Sequence, residues 1–366
     1  MQKFIAVTIF GAGLLLSAST LFSLASKNNA EDSLNIQAQA SIGEKISNIE
    51  NTFKQLLNKA KVDEDTIKLA GEEQDQINFL FLGIGGEEHI SGNYLTDTNI
   101  LLIFIPSNKK AVAISIPRDL LVKHPIQDKF TRLNALYAIK DPDLGEPHEF
   151  PGPMGIKYVK EAMKNITGIN IDYYAVLDLA GVEKVVDVLG GINIQRLQNL
   201  EDKTFPDKNY GYETYEVNEG WRYLNGEQAV KYIRTRHTSG GDFDRMKRQQ
   251  EVARAIKKKI EGFQSISGLP KLFSIYNALQ DHFTTNLSFS EIMRLMKMGE
   301  NIETDNIIFD SITAEPGGLL VYDTIIWNGV KASVLSSRAG RENFEQIREK
   351  IQRIIDSIKI SNSPNF

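Results

Sequence analysis

A basic segment, Lys231–Lys259, holds ten Lys or Arg residues and three acidic residues, although the whole chain has a net charge of −5. Near the start of this segment, the pattern of Tyr232–Arg236 predicts a short strand. Alternate residues of a strand share a face, so Arg234 and Arg236 are expected to point to the same side. Two guanidinium groups on one face favour the binding of an anion, and their forked shape suits phosphate.

A helix is predicted from about residue 243 to residue 260, where apolar residues recur at helical spacing. Arg245 and Gln249 lie one turn apart on its apolar-leaning stripe. A buried arginine is costly without a compensating anion, so Arg245 strengthens the prediction of an anionic ligand. A solvated basic face is the alternative, and the shared-face geometry disfavours it. Other basic residues of the helix are expected to be exposed: Lys247, Arg248, Arg254 and Lys258.

A predicted hairpin supplies distant partners for these arginines. Its strands are Asn99–Ile105 and Ala111–Ile116, joined by a turn that contains proline, serine and asparagine. Residues near position 97 then lie opposite residues near position 119, which brings Asp97, Arg118 and Asp119 to one end of the sheet. Two alternatives remain: Asp97 is an ordinary turn residue before a strand, and Arg118 forms only a local surface ion pair with Asp119.

Helical and strand-like patterns alternate through the rest of the chain. Strands this apolar on both faces predict an α/β domain with a central sheet covered by helices on both sides. The further predicted elements are strand Phe79–Leu82, helix Gly155–Asn165, strand Tyr173–Leu177, helix Leu179–Leu189, strand Ile192–Ile194, strand Ile307–Phe309, strand Leu319–Tyr322 and helix Glu342–Ile358.

Composition excludes several classes of function. Of 366 residues, 42% are hydrophobic and 24% are charged, values typical of a globular protein with a core. A sequence pI near 5.7 argues against a general nucleic-acid binder. The chain has no cysteine, which excludes disulfides, thiolate metal sites and cysteine catalysis.

The N-terminal region predicts a membrane anchor. Residues 4–26 carry no charge, and about 20 helical residues span a bilayer core. We therefore expect a signal anchor at residues 1–27, a polar extracytoplasmic stalk at 28–75 and one compact domain at 76–360. A cleaved signal peptide is the alternative, because Ser23–Ala25 is an acceptable cleavage site.

Seven motifs in a fixed order connect these features to a known family. They are Leu95–Thr98, Ser115–Asp119, Arg132–Ala135, Gly168–Tyr174, Val185–Ile192, Arg234–Arg236 and Asp242–Gln250. Together they resemble the LytR-CpsA-Psr family of membrane-anchored cell-wall enzymes, over roughly residues 79–260. The resemblance implies a three-layer α/β/α sandwich on the outer face of the cytoplasmic membrane.

The resemblance also implies an activity. Such enzymes transfer a glycopolymer from undecaprenyl pyrophosphate to a peptidoglycan hydroxyl through a phosphodiester, with Mg²⁺ (or Mn²⁺) assisting and the polyprenyl chain in an apolar tunnel. By this resemblance Asp97 is the metal-binding and catalytic aspartate, and Arg118 and Arg236 are also expected in catalysis. The implied pyrophosphate-binding residues are Arg118, Arg132, Arg234, Arg236, Arg245 and Gln249.

The sequence departs from the family pattern beside this site. Many members have a second aspartate roughly a dozen residues before the one that matches Asp97. Here that turn reads Gly-Ile-Gly-Gly-Glu-Glu-His over residues 83–89, so Glu87 is the candidate replacement as a metal ligand. Alternatively, Asp97, water and phosphate oxygens hold the metal, since Mg²⁺ commonly takes few protein ligands.

Two other functions remain open at this stage. With water as acceptor, the same residues would make a polyprenyl-pyrophosphate hydrolase. Without turnover, they would make a lipid-carrier-binding regulator of the cell envelope. A DNA-binding regulator is disfavoured by the acidic balance and by the lack of a recognisable helix-turn-helix.

Overall fold

The computed structural model describes most of the chain from residue 67 onward. The described residues are 67–86, 94–139, 155–207, 211–235, 241–261, 278–279, 281–288, 291, 294–295, 298, 307–327 and 329–360. The predicted anchor, most of the predicted stalk, Glu87 and Arg236 lie outside them. Within the described ranges, no helix is both long and apolar enough to cross a membrane.

A six-stranded mixed sheet forms the centre of the fold. Its strand order is β11-β6-β1-β2-β3-β12. The strands are β1 (Ile77–Ile84), β2 (Thr96–Ile105), β3 (Lys110–Ser115), β6 (Tyr173–Asp178), β11 (Phe283–Thr285) and β12 (Ile307–Ser311). β1 pairs antiparallel with β2 and parallel with β6, and β12 pairs parallel with β3.

The predicted hairpin is confirmed by strands β2 and β3. They are joined by a 3-10 turn at Pro106–Asn108, which ends at Lys109 with φ 55°. The register pairs Ile105 with Lys110 and Ile100 with Ser115. The start of β2 therefore extends beyond the end of β3, which places Asp97 at the end of the sheet.

Helices cover both faces of the sheet, as the sequence predicted. On one face, α1 (Ile156–Thr167) and α5 (Glu345–Ile360) pack against β1, β2 and β3 through one continuous apolar cluster. On the other face, α2 (Leu179–Val188) and α4 (Gly241–Glu261) enclose a pocket with the sheet, and the start of α4 also joins the first apolar cluster through Phe243 and Met246. The boundaries of these helices agree with the predicted ones to within three residues.

A smaller β-rich layer was not predicted from the sequence. It contains β7 (Ile192–Arg196), β8 (Leu200–Pro206), β9 (Tyr212–Val217) and β10 (Gly220–Leu224), of which only the start of β7 was expected. Their buried residues share an apolar cluster with α4 and with the helix α3, Gly226–Arg234. Two further hairpins are β4 (Leu121–Lys123) with β5 (Phe130–Arg132), and β13 (Leu320–Trp327) with β14 (Val330–Ser337).

The strand predicted at Tyr232–Arg236 is wrong, because its first three residues end helix α3. Asn225 and Gln228 form a capping box, in which each side chain accepts a hydrogen bond from the other residue's backbone N–H. The helix then buries Ala229 and Ile233 on one side at helical spacing. Arg234 therefore lies in the last turn of a helix and not on a strand face, whereas Arg236 lies outside the described residues.

Candidate active site

A pocket of about 310 Å³ lies between the central sheet and helices α2, α3 and α4. Both long walls change from polar to apolar in the same direction. Along β2 the lining begins at Asp97 and continues with Ile100 and Leu102. Along α4 it begins at Arg245 and ends at Ile256. The pocket therefore has a charged end and an apolar end.

Small side chains on the sheet leave room for the apolar part of the pocket. Ala113 on β3 and Ala175 on β6 contribute to its floor. Bulkier apolar residues form the walls: Phe81, Leu177, Val182, Val185, Ile233, Val252, Leu279, Phe283, Ile307 and Phe309. Polar atoms are scarce along this stretch, so its shape and chemistry suit a hydrocarbon chain.

Two arginines that are far apart in the sequence converge on Asp97. Arg118 donates a hydrogen bond from Nη1 to Oδ1 of Asp97 at 2.5 Å. Arg245 places its Nη1 3.7 Å from the same oxygen, and its Nη2 donates to the backbone carbonyl of Asp97 at 3.0 Å. The structure thus brings together three of the predicted site residues.

Both arginines of this cluster have little contact with water. Arg245 is 1% exposed, and the side chain of Arg118 is 13% exposed. Both contact the carboxylate of Asp97, whose side chain is 32% exposed, and Nε of Arg118 also lies 3.4 Å from Asp119. Forked guanidinium groups bind the oxygens of phosphate well, so two of them beside a partly exposed carboxylate suit a phosphate group.

Arg132 belongs to an outer ion pair next to the cluster. Its Nη1 lies 3.0 Å from Oδ1 of Asp119, and Oδ2 of Asp119 lies 3.4 Å from Nε of Arg118. Asp119 thereby links Arg132 to Arg118. Arg132 is not among the residues that line the pocket, so direct contact with a pyrophosphate there stays a prediction.

Arg234 and Gln249 line the same pocket from two helices. Arg234 is in the last turn of α3, and its guanidinium lies 5.4 Å from the ring centroid of Phe205. Gln249 follows Arg245 by one turn of α4, as predicted, and both line the pocket. Arg234 is therefore a lining residue of the pocket as expected, but its contact with a pyrophosphate stays a prediction.

The surface position predicted for Arg248 is wrong. This residue is 2% exposed, donates from Nε to the carbonyl of Tyr232 at 3.1 Å, and donates from Nη2 to the carbonyl of Thr235. These carbonyls lie at the C-terminus of α3, where a cation is favourable. Burial lowers the pKa of Arg248 from its ordinary value. Arg248 therefore fixes the helix end that carries Arg234.

Asp178 is a pocket residue that the sequence reasoning missed. It caps α2 by accepting a hydrogen bond from the N–H of Gly181 at 2.7 Å. Its other oxygen lies 2.8 Å from Nδ1 of His282, whose Nε2 lies 2.5 Å from Nζ of Lys184. An aspartate immediately before a helical pattern is a standard N-cap signal and could have located it. Three more polar residues line this part of the pocket: Thr98, Ser115 and Gln250.

The acidic residues at the charged end fit a metal ion that is held mainly by phosphate oxygens of the substrate. Among the residues that the structure describes, no group of three or more His, Cys, Asp or Glu side chains could hold a metal ion. Asp97 supplies one carboxylate at the charged end, and Glu87 lies outside the described ranges. Mg²⁺ commonly binds one or two carboxylates together with substrate phosphates and water. The donor set thus fits Mg²⁺ bound by Asp97 and phosphate oxygens, without a protein cage.

The family model for LytR_cpsA_psr matches residues 39–346. The chain belongs to the LytR-CpsA-Psr family. The match extends beyond the seven motifs, because it includes most of the C-terminal strands and the start of α5. The mixed α/β fold with a central sheet is the fold that this resemblance implied.

Two relatives of this chain have names that describe different functions, a regulatory protein and a transferase. The regulatory protein MsrR of Staphylococcus aureus is 30% identical over 215 residues, which are 58% of this chain and 58% of MsrR. A polyisoprenyl-teichoic acid–peptidoglycan teichoic acid transferase, TagU of Enterococcus faecalis, is 27% identical over 224 residues, or 61% of this chain and 65% of TagU. The chain thus spans less than two thirds of the length of each relative.

A solved structure shares the fold. The structure of TagT bound to LI-WTA is 21% identical, with a TM-score of 0.53 over 80% of this chain and 95% of TagT. At this level of identity the likeness shows the common architecture alone.

Proposed function

We propose that this chain is a phosphotransferase that moves a glycopolymer from a polyisoprenyl pyrophosphate carrier to a hydroxyl of peptidoglycan. The observation that carries the proposal is the polarity of one pocket. Asp97 and Arg245 line one end, where Arg118 donates a hydrogen bond to Asp97, and apolar side chains continue from there along β2 and α4. A ligand that fits both ends has an anionic head and a hydrocarbon tail. The name of the relative TagU describes a transferase with such a donor.

The reaction requires little covalent chemistry from the protein. The acceptor oxygen forms a bond to the phosphorus next to the glycopolymer, and the bond from that phosphorus to the bridging oxygen breaks. Polyisoprenyl phosphate leaves, and the acceptor proton is lost. Arg118 and Arg245 offset the negative charge of the two phosphates, which is the main contribution that phosphoryl transfer needs.

Asp97 has two possible roles in this scheme. It either binds Mg²⁺ together with phosphate oxygens or accepts the proton of the attacking hydroxyl. Bound Mg²⁺ would stabilise the charge on the leaving phosphate. We further propose that the site operates at the outer face of the cytoplasmic membrane, where a polyisoprenyl carrier and peptidoglycan are both accessible.

The test is release of polyisoprenyl phosphate by the full-length protein from a pyrophosphate-linked glycan donor. We expect release to require Mg²⁺ or Mn²⁺ and to fall at least ~100-fold in Asp97→Asn, as is typical when a positioned catalytic group is removed. Asp356→Asn is a matched control, because Asp356 is an exposed residue of α5, on the opposite side of the sheet. Equal release by the Asp97 and Asp356 variants would contradict the site assignment.

Two other outcomes define alternative functions. If release occurs equally with and without an acceptor and water supplies the new oxygen, the protein is a polyprenyl-pyrophosphate hydrolase. If the donor binds without release, it is a lipid-carrier-binding regulator, and MsrR is named a regulatory protein. The pocket would hold the same donor in all three cases, so product analysis separates them.

A further inference from the structure

Two aromatic side chains stand exposed on one face of strand β10. Trp221 is 60% exposed and Tyr223 is 57% exposed. They lie two residues apart on a strand, so both point to the same side. Neither lines the pocket described above. Exposed neighbouring aromatic rings commonly mark a binding surface.

Strand β7 places two amides directly beside these rings. In the antiparallel register, Trp221 pairs with Gln195 and Tyr223 pairs with Asn193. Directly paired residues project to the same face, with Cβ atoms about 4.5–5.5 Å apart. Both Asn193 and Gln195 are exposed. The outer face of the β7–β10 ribbon is thus a patch of two aromatic rings and two primary amides, which we call the ribbon face.

Both rings have defined neighbours in the structure. A Cβ atom at Gly191 would lie 2.2 Å from Cε2 of Tyr223, so the ring packs directly on the glycine backbone. Gly191 also has φ +78°, a conformation that favours glycine. On the other ring, Nζ of Lys258 lies 5.7 Å from the Trp221 centroid. Rings held in this way lose little conformational entropy when a ligand binds.

The chemistry of the ribbon face matches a pyranose sugar. The flat faces of Trp221 and Tyr223 can stack on the C–H groups of a sugar ring. The amides of Asn193 and Gln195 each offer two donors and one acceptor oxygen for hydroxyl and N-acetyl groups. The four side chains carry no charge, and Lys258 is the cation over one ring. A polymer with a phosphate in every repeat would require more cations than this face provides.

We propose that the ribbon face binds a glycan strand of N-acetylated pyranose sugars. The ribbon face is a glycan-binding site whether or not the proposed function is correct. The further statement that the bound strand is the acceptor for transfer rests on the proposed function. Lys258 lies ~20 Å from Arg245 along the axis of α4, at 1.5 Å per residue. The ribbon face is therefore separate from the phosphate cluster, and a polymer can contact it while another part of the same polymer reacts.

The experiment is a calorimetric titration of the full-length protein with hexameric N-acetylglucosamine. We expect Trp221→Ala to weaken binding about tenfold or more, because exposed aromatic anchors commonly dominate such interfaces. Trp221→Phe keeps an aromatic face and should restore much of the affinity. Tyr322→Ala is the matched control, since Tyr322 is 71% exposed on strand β13, and its affinity should stay within about twofold of wild type.

The remaining outcomes contradict either the glycan site or the proposed function. Affinity unchanged in Trp221→Ala, or lost equally in Tyr322→Ala, would show that the ribbon face is not the glycan site. If the protein binds purified teichoic acid but not the hexamer, the ligand of the ribbon face is an anionic polymer, and the proposal of a neutral glycan is wrong. Trp221-dependent glycan binding without release of polyisoprenyl phosphate would leave the ribbon face standing and overturn the proposed function instead.

Discussion

The replacement Arg245→Lys tests the charge cluster with little change in size or charge. Arg245 contacts both the backbone carbonyl and the carboxylate of Asp97, with Nη2 3.0 Å from the former and Nη1 3.7 Å from the latter. A lysine ammonium is a single point charge and cannot reproduce both contacts. Losing one hydrogen bond to a charged group costs about 1.5–3 kcal/mol. We therefore expect kcat/KM for release of polyisoprenyl phosphate to fall about 10- to 150-fold.

The matched control for this prediction is Arg294→Lys. Nη2 of Arg294 lies 2.6 Å from Oε1 of Glu72, which precedes β1 and thus lies at the end of the sheet opposite Asp97. The same chemical change there should leave kcat/KM within about twofold of wild type. Thermal unfolding of both variants checks that each is folded under the assay conditions. Arg245→Lys with wild-type kcat/KM, or an equal loss in both variants, would refute the proposed role of the cluster.

Three further predictions concern the helix cap, the apolar pocket and pH. Arg248→Met leaves two carbonyl groups at the end of α3 without their donor, so the free energy of unfolding should fall by about 2–6 kcal/mol in urea titrations; a loss below ~1 kcal/mol contradicts the cap. Ala113→Leu fills the floor of the pocket, so KM should rise more for a long polyprenyl donor than for a short one, and equal changes contradict a chain-binding pocket. The pKa of Asp323 lies well below its ordinary value, mainly because Arg341 donates a hydrogen bond to the carboxylate and further because Ser336 and the backbone N–H of Thr324 do so too. These hydrogen bonds stabilise the folded protein fully at pH values above the unfolded-state pKa of about 3.9. This stabilisation is lost as the pH falls through the lower folded-state pKa. The stability difference between wild type and Asp323→Asn should therefore shrink below about pH 4, and a constant difference contradicts it.

Elements with a clear period and a clear boundary were predictable from the sequence. The β2–β3 hairpin followed from two apolar runs around a proline-containing turn, and it correctly placed Asp97 beside Arg118. The stripe of α4 correctly placed Arg245 and Gln249 together on the pocket. In these cases one local pattern determines which side chains share a face.

One error arose from a missed local signal, and the other arose where tertiary packing decides the outcome. The alternation of Arg234 and Arg236 favoured a strand, but a capping box upstream of both residues starts a helix that ends at Arg234. Arg248 was assigned to the surface because it lies roughly 100° from the stripe of α4. That helix packs against both the sheet and the smaller β-rich layer, so a wider part of its circumference is buried. The burial of this second side is not visible from the periodicity of α4 alone.

The most direct test of the central proposal is the mass of the product formed from a polyisoprenyl pyrophosphate-linked glycopolymer and peptidoglycan fragments. Transfer predicts two products, a peptidoglycan fragment whose mass has increased by the glycopolymer phosphate and free polyisoprenyl phosphate. The variant Asp97→Asn should suppress the formation of both. A glycopolymer phosphate that carries oxygen from water in place of the fragment would contradict transfer. An unchanged donor that is bound but never consumed would contradict catalysis.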